Sequence, residues 1–479
     1  MTQQATLALA GLVVFGCSAD GSEAAAGSET QASSGAANSE GETQDDSSPG
    51  SGGATSSTGD IDTSDTITDT SDHGTSSEES GDGSESGADE TTGDSTTGET
   101  TAGADDSNAL HVSESGQDSN PGTPQEPMRT IQWAIGQAEM DPEIDTIRVA
   151  TGTYGADVAN DAIIVLVDGV SLLGGWNEGF DSRDPLAWPS HIVDSSDETP
   201  AGTSTNSPAR VVEVPSDVTA QTRFDGFHVQ VGRGQDRTGI YIEGDATISA
   251  NTFDRGADGN GTLGKSAIRI NGGSPQISGN HIDLEYEAAP GSLHGIRVLG
   301  GNPVIFNNVI TLHGVIAIHY GIEVTDASPD IIGNSIEIHG VTYARVIMVN
   351  GNSQPRIDNN VLQSNAGTCV SYYLNNGTTP GGLHNNLLQC PLTVSGTSLS
   401  LTLTTIAEVH AELEDASGNV KLPGPLVDAE NDLRLDENAP CTVARGGLDL
   451  PGELSEDFAG QPRTAPMSMG AHEWDGDCQ

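Results

Sequence analysis

An asparagine placed two residues before an apolar side chain recurs through the middle of this chain, and this repeat restricts the fold more than any other feature. Successive copies are separated by 29, 28, 26, 26 and 26 residues. The copies are Asn251, Asn280, Asn308, Asn334, Asn360 and Asn386, and Asp225 stands 26 residues before the first of them. A fixed period of this length is the signature of a repeat protein in which each unit packs on the next one.

Each unit also contains short runs with the period of two that is typical of β-strands. Leu does not recur at the offsets that a leucine-rich repeat needs, and no unit shows the 3.6-residue period of a helical repeat. The alternating runs are Gly239-Ile-Tyr-Ile, Ala267-Ile-Arg-Ile, Gly295-Ile-Arg-Val and Gly321-Ile-Glu-Val, and a Pro follows in phase at 275, 303, 329, 355 and 380. We therefore predict an all-β fold, a right-handed parallel β-helix whose coils stack about 4.8 Å apart.

The recurring asparagines are predicted to form a structural ladder at one corner of the coils, starting at Asp225. Asn tolerates left-handed backbone geometry at a tight corner. Its side-chain amide can also bond to the Asn of the neighbouring coil, as stacked asparagines do elsewhere.

Charge divides the 479-residue chain into two parts. The chain has 17 Lys+Arg against 70 Asp+Glu, and no Lys or Arg precedes Arg129. Between Ser18 and Asn108 there are 22 acids in 91 residues, among Ser, Thr, Gly and Ala. We expect residues 17–108 to be a disordered linker, because they lack the apolar residues that offset ordering entropy. So acidic a protein repels nucleic acid, which leaves a polysaccharide or a surface protein as the expected partner.

The first residues have the pattern of an export signal. Leu7 to Phe15 is apolar but too short to span a membrane. Val14-Phe-Gly-Cys17 resembles a bacterial lipobox, which implies a signal peptide at 1–16 and lipidation of Cys17. Ser18 after the Cys implies the outer membrane, with the protein facing the exterior or the periplasm. The alternative is a cleaved signal and secretion.

Four further cysteines remain if Cys17 is lipidated. They are Cys369, Cys390, Cys441 and Cys478. An even number in an exported chain indicates two disulfides, and three pairings are possible. We favour the most local pairing, Cys369–Cys390 with Cys441–Cys478.

The segment that begins at His111 resembles the start of the DUF1565 family, which belongs to the pectin-lyase-like group of right-handed β-helices. The resemblance rests on His111-Val-Ser-Glu-Ser-Gly-Gln-Asp-Ser-Asn-Pro-Gly-Thr, Pro127-Met-Arg-Thr-Ile-Gln-Trp-Ala-Ile, Asp145-Thr-Ile-Arg-Val and Gly169-Val-Ser-Leu-Leu-Gly-Gly-Trp. It implies a β-helix over 109–445, a capping helix over Arg129–Glu139 and an irregular tail over 446–479. It implies no particular function, because this fold hosts lyases, hydrolases and adhesins.

One stripe is the candidate ligand site. Tyr241, Arg269, Arg297 and Glu323 lie between inward-pointing apolar residues on successive coils, so all four should face outward. Two adjacent arginines can grip a uronate or a sulfate, with Tyr241 stacking on a sugar ring. An Arg–Glu surface ladder is the simpler interpretation.

Other polar groups give weaker signals, and we predict no catalytic residue and no metal site. Asp254-Arg-Gly-Ala-Asp-Gly-Asn260 could hold Ca²⁺ through oxygen ligands, but it matches no known calcium loop, and an inserted turn explains it as well. His294, His313, His319 and His339 occur in one region of the sequence.

The favoured function is therefore a non-catalytic surface lipoprotein that displays a β-helix for adhesion or glycan binding. The alternatives are a lyase or hydrolase of acidic polysaccharides, and a structural surface spacer.

Overall fold

The computed structural model describes residues 108–476 except for 157–161, 195–208, 232–236, 256–264, 287–291, 315–317, 341–342, 376–377, 397–399, 423–425, 429–431, 437, 451, 453 and 475. Over these residues the predicted fold is confirmed, as a parallel β-helix of about eight turns with few helices. The signal peptide, Cys17, almost all of the acidic linker and Cys478 lie outside the described residues.

Three sheets form the walls of the solenoid, and we number them by their order within a coil. Sheet 1 contains Ile164–Val165, Ala209–Val214, Arg237–Ile242, Lys265–Ile270, Leu293–Val298, Ile318–Thr325, Tyr343–Gly351, Gly367–Leu374, Leu392–Ser395 and Ser400–Leu403. Sheet 2 contains Ala109–Val112, Thr146–Ala150, Ser171–Trp176, Arg223–Asp225, Thr247–Ser249, Gln276–Ser278, Val304–Phe306, Asp330–Ile332, Arg356–Asp358, Leu383–His384 and Ala416–Ser417. Sheet 3 contains Gly152–Ala156, Ser190–Asp194, Phe227–Val231, Thr252–Arg255, His281–Tyr286, Val309–Gly314, Ser335–His339, Val361–Ser364 and Leu387–Leu388.

Stacked aliphatic side chains fill the interior between the three sheets. In sheet 1 each isoleucine at one register position pairs with the isoleucine of the next coil. We call such a column of side chains on successive coils a file. All members of this file are fully buried: Ile240, Ile268, Ile296, Ile322 and Ile347. Burying one such side chain contributes about 2 kcal/mol. The period of two therefore encodes a continuous core.

The predicted amide ladder runs between sheets 2 and 3. Each of its asparagines is almost completely buried, and its Oδ1 accepts from the backbone N–H and the Nδ2 of the preceding ladder residue at 2.9–3.1 Å. The ladder runs from Asn251 through Asn386 and continues to Asn419, whose Oδ1 lies 2.9 Å from Nδ2 of Asn386. That last coil is 33 residues long and breaks the period.

Two details of the ladder differ from the prediction. Asp225 is not a member of the ladder, because it aligns with Ser249 and not with Asn251. The residue that occupies the ladder position on that coil, which we call a rung, is Phe227, whose backbone N–H donates to Oδ1 of Asn251. Asp225 is instead a buried acid that forms ion pairs with Arg183 and Arg223. The residue with left-handed backbone geometry is also not the ladder Asn but the residue before it, for example Ala250 (φ 53°). The side-chain hydrogen bonds between coils therefore explain by themselves why the ladder position is Asn.

Short elements cover the two ends of the coil stack. The predicted capping helix is confirmed as Ile131–Met140, with Ile131, Ala134, Ile135 and Ala138 buried. At the other end lie the antiparallel pairing of Leu392–Ser395 with Ser400–Leu403 and the helix Ile406–Glu412. These elements shield open sheet edges, which would otherwise template aggregation.

The chain after the last coil, which includes the predicted tail, packs along the ladder corner and the outer face of sheet 3. It contains the antiparallel pair Leu426–Asp428 and Asp432–Leu435 and the short helix Cys441–Ala444. Side chains of Asn307, Asn359 and Asn385 donate to the backbone carbonyls of Glu456, Leu448 and Gly446 respectively. These left-handed asparagines are therefore attachment points for the tail.

One of the two predicted disulfides is confirmed. Cys369 and Cys390 are bonded, with their Cα atoms 5.1 Å apart. The Cys441–Cys478 pairing stays a prediction, since Cys478 is outside the described residues. Among the helices of the described part of the chain, none has the length and apolar character needed to cross a membrane.

Candidate functional site

The four residues of the predicted stripe lie in one file on the outer face of sheet 1. Strand register pairs Tyr241 with Arg269, Arg269 with Arg297, and Arg297 with Glu323. The file continues from Glu323 to Met348 on the next coil. Stacking alone therefore places these side chains about 4.8 Å apart per coil, along the solenoid axis.

Charge is distributed unequally among the three sheets. The described strands of sheet 1 contain six Lys and Arg against two acids, whereas those of sheet 2 contain three of each. The described strands of sheet 3 contain one Arg and no Lys against five acids. Four of the six bases of sheet 1 lie partly exposed on its outer face, namely Arg210, Arg269, Arg297 and Arg345. Sheet 1 is therefore a basic face on a protein of net charge −53.

Glu323 is the centre of a buried ion-pair cluster on this face. Nε of Arg297 lies 2.8 Å and Nδ1 of His294 lies 3.0 Å from Oε2 of Glu323. Burial alone would raise the pKa of the Glu323 carboxyl, but His294 and Arg297 lower it below its ordinary value. Burial lowers the pKa of His294, whose ring stacks on Tyr320 at 4.7 Å between centroids. Glu323 is therefore held as a carboxylate that neutralises one of the two adjacent arginines.

Tyr241 is not placed for the predicted stacking on a sugar ring. Its side chain is only 7% exposed, and the guanidinium of Arg210 lies 4.6 Å from the ring centroid. The guanidinium of Arg269 lies 5.9 Å from the same centroid, and its Nε donates to Asn271. The Tyr241 hydroxyl contacts Glu243 at 3.0 Å. Tyr241 therefore positions arginines and does not offer a ring face to a ligand.

A second group of outward side chains, which the sequence prediction missed, lies at the other end of the file. Nη1 of Arg345 donates to the hydroxyl of Tyr320 at 3.2 Å, and Nη2 donates to that of Tyr373 at 3.0 Å. The guanidinium also lies 5.3 Å from the ring centroid of Tyr343, which is 37% exposed. We call Arg345, Tyr320, Tyr343 and Tyr373 the tyrosine cluster.

This cluster was missed because sheet 1 does not alternate strictly. Cβ atoms added at Gly295 and Gly321 would contact the core side chains Ile310 and Ile336, so these glycines face inward like the Ile after them. Outward positions are consequently three residues apart in each strand, as with His294 and Arg297. The recurring small residue before the Ile was the available signal.

The four histidines noted in the sequence do not form one site. His294 and His319 lie in sheet 1, and burial lowers the pKa of His319 to about 4. His313 and His339 lie in sheet 3, where their ring centroids are 3.9 Å apart and Nε2 of His313 is 3.4 Å from Oδ1 of Asp283.

The acidic loop proposed for Ca²⁺ lies mostly outside the described residues. Its first residue, Asp254, contacts Nε2 of His228 at 2.7 Å. Within the described part of the chain, no group of three or more His, Cys, Asp or Glu side chains is arranged to hold a metal ion.

Three parallel sheets wound into one solenoid define the class, which is that of the parallel β-helix proteins. Residues 114–337 match the family model described as "Protein of unknown function (DUF1565)". The resemblance to this family predicted from the sequence is thus confirmed over these residues.

Several solved structures match the chain at low similarity. A pectate lyase, Pel9A, has 14% sequence identity and a TM-score of 0.39, with 77% of this chain and 90% of that chain covered. A rhamnogalacturonan lyase has 14% identity and a TM-score of 0.30, with 74% and 99% covered. A complex of XylC with xylose has 10% identity and a TM-score of 0.29, with 77% and 99% covered. No curated protein matches the chain. Likeness at this level says nothing about activity.

Proposed function

We propose that the outer face of sheet 1 binds an anionic polysaccharide without cleaving it. The observation that carries this proposal is the charge asymmetry: the described strands of sheet 1 are the basic ones in a strongly acidic protein. A local basic surface attracts anionic ligands even on a protein whose net charge is negative. A long flat face built of stacked strands suits an extended polymer better than a small molecule.

Arg269 and Arg297 are the residues that we propose as the anion-binding pair. They occupy the same register position on adjacent coils, about 5 Å apart. Arg297 is the ion-pair partner of Glu323, and the six Lys and Arg of the described sheet 1 strands outnumber the two acids there. A carboxylate or sulfate between two guanidiniums accepts charge-assisted hydrogen bonds, which are stronger than neutral ones.

The position of the carboxylates on the same strands favours binding over hydrolysis. The two acids within the described strands of sheet 1 are Glu213 and Glu323, which are four coils apart in the file. Four coils correspond to about 19 Å. Paired carboxylates of glycoside hydrolases are about 5 to 9.5 Å apart, so these two cannot act together on one glycosidic bond.

The test is binding of polygalacturonate to the full chain, measured by isothermal titration calorimetry at two salt concentrations. We expect binding that weakens with salt and that is lost in the double variant Arg269→Gln/Arg297→Gln. Arg129→Gln is the matched control, since it removes one exposed charge from the capping region and should bind normally. Equal binding by all variants would refute the site, and release of unsaturated or reducing sugars would replace binding with catalysis.

We also propose that the β-helix is anchored to the outer membrane by a lipid on Cys17, with residues 17–108 as its tether. The lipobox-like sequence before Cys17 supports this proposal. Cys17→Ala should move the protein from the membrane fraction to the soluble fraction. A wild-type protein that is already soluble would contradict the anchor.

A further inference from the structure

The outer face of sheet 1 has two chemically different ends, and the tyrosine cluster makes one of them aromatic. The whole chain has seven tyrosines. Four of them lie on this face: Tyr241 near the arginine pair, and Tyr320, Tyr343 and Tyr373 around Arg345. Beside Tyr343, in register on the preceding coil, lies Ile318, which is 38% exposed. The exposed side chains of Ile318 and Tyr343 are therefore neighbours at the end of the face that lies away from the arginine pair.

Arg345 fixes the tyrosines in place and is poorly placed to bind an anion itself. Its two terminal nitrogens donate to the hydroxyls of Tyr320 and Tyr373, and Nη1 also contacts Sδ of Met348 at 3.5 Å. Because these donors are used within the protein, the guanidinium holds the tyrosine side chains in position. The rings are therefore pre-organised, which reduces the entropy that a ligand must overcome on binding.

The cluster offers groups that suit an uncharged sugar ring. The partly exposed ring of Tyr343 gives an apolar surface for the C–H face of a pyranose. The hydroxyls of Tyr320 and Tyr373 accept from Arg345, so each directs its own proton elsewhere and can donate it to a sugar oxygen. Burial raises the pKa of Tyr320, which keeps that hydroxyl protonated.

The spacing relates the cluster to the anion-binding pair. Met348, which Arg345 contacts, stands in the same file as Arg297 and two coils beyond it. This separation corresponds to about 10 Å along the solenoid axis. A polymer that lies along the axis would therefore meet a cationic position and an aromatic position on different sugar units.

We infer that the tyrosine cluster is a subsite for a neutral sugar, and that the ligand is a heteropolysaccharide in which each acidic sugar is followed by several neutral sugars. This inference rests on the proposed function, since it names the ligand class of the same face. A homopolymer of uronic acids would bind to the arginine pair. It would also place a further carboxylate close to the Glu323 carboxylate and the tyrosine cluster, where it is repelled.

The experiment compares deacylated gellan, whose repeat carries one glucuronate among three neutral sugars, with polygalacturonate, which is uronate throughout. The wild-type full chain should bind gellan more tightly. Tyr343→Ala should weaken gellan binding about fivefold, as expected for loss of one aromatic contact, and should leave polygalacturonate binding within a factor of two. Tyr343→Phe, which keeps the ring, should bind gellan as wild type does.

Trp133→Ala is the control for loss of an exposed aromatic residue, because Trp133 is 49% exposed on the capping helix and should not affect either polymer. Tyr320→Phe supplies a second probe that removes one hydroxyl and keeps the ring. If wild type binds polygalacturonate and Tyr343→Ala weakens both polymers equally or neither, the neutral-sugar subsite is wrong and the anion site stands. If wild type binds no anionic polymer, the proposed function itself is wrong.

Discussion

Replacing Asn334 with Ala should destabilise the solenoid more than any surface substitution. The Oδ1 atom of Asn334 accepts from the backbone N–H and the Nδ2 of Asn308 at 3.0 and 2.9 Å. Its Nδ2 donates to the carbonyls of Ile305 and Ile332 and to Oδ1 of Asn360 at 2.9, 3.2 and 3.0 Å. The side chain is 0% exposed, so water cannot replace these partners in the intact coil stack.

The cost follows from the groups that lose a partner. Each buried polar group left unsatisfied costs about 1 to 3 kcal/mol. With the donors of Asn308 and the acceptors of Ile305 and Asn360 affected, and some relaxation of the corner, we expect a loss of about 3 to 6 kcal/mol. This would be a large part of the stability of an ordinary domain.

Urea unfolding followed by circular dichroism measures this loss. The control is Asn302→Ala, which removes an exposed amide at another corner and should change the free energy of unfolding by less than about 0.5 kcal/mol. A cost for Asn334→Ala below about 1 kcal/mol would refute the view that the ladder bonds hold the corners together.

Three further substitutions test other parts of the fold. Ala250→Gly should stabilise the protein by about 1 kcal/mol, because Ala250 has φ 53° and glycine relieves left-handed strain; a lower thermal midpoint would contradict this. Joint replacement of Cys369 and Cys390 by Ala should cost about 3 kcal/mol, as for a closed loop of similar length; unchanged urea unfolding would oppose it. The pKa of Glu323 lies below its ordinary value, so its stabilising effect is present above the usual carboxyl range and is lost as pH falls through the folded-state pKa. Glu323→Gln should therefore flatten the acid limb of the stability–pH profile, and an unaltered limb would argue against the ion pair.

The coil architecture could be predicted from the sequence because geometry fixes the repeat. Corners that stack must recur at the length of one coil, and the amides of Asn308, Asn334 and Asn360 mark them at a spacing of 26. The prediction was wrong where coil length changes. The coil before Asn251 is shorter, so counting back 26 residues reached Asp225 and missed Phe227 as the rung. An insertion likewise hid Asn419.

The candidate site was predicted only in part, and for a different physical reason. The file through Arg269 and Arg297 follows from alternation in a strand, which needs only the sequence. Arg345 and Tyr320 belong to an outward row that exists because two consecutive residues of each strand face the core. That departure from alternation depends on packing against sheet 3, as the contact between Gly321 and Ile336 illustrates, and a period of two does not reveal it.

Hydroxyl-radical footprinting of the full chain, with and without deacylated gellan, tests most directly whether sheet 1 is the binding face. We expect the polymer to protect Tyr320, Tyr343 and Met348, which lie on or beside the basic file, and to leave His191 and His228 on sheet 3 equally reactive. Protection of sheet 3 with none on sheet 1, or equal reactivity everywhere under conditions where the polymer binds, would contradict the account.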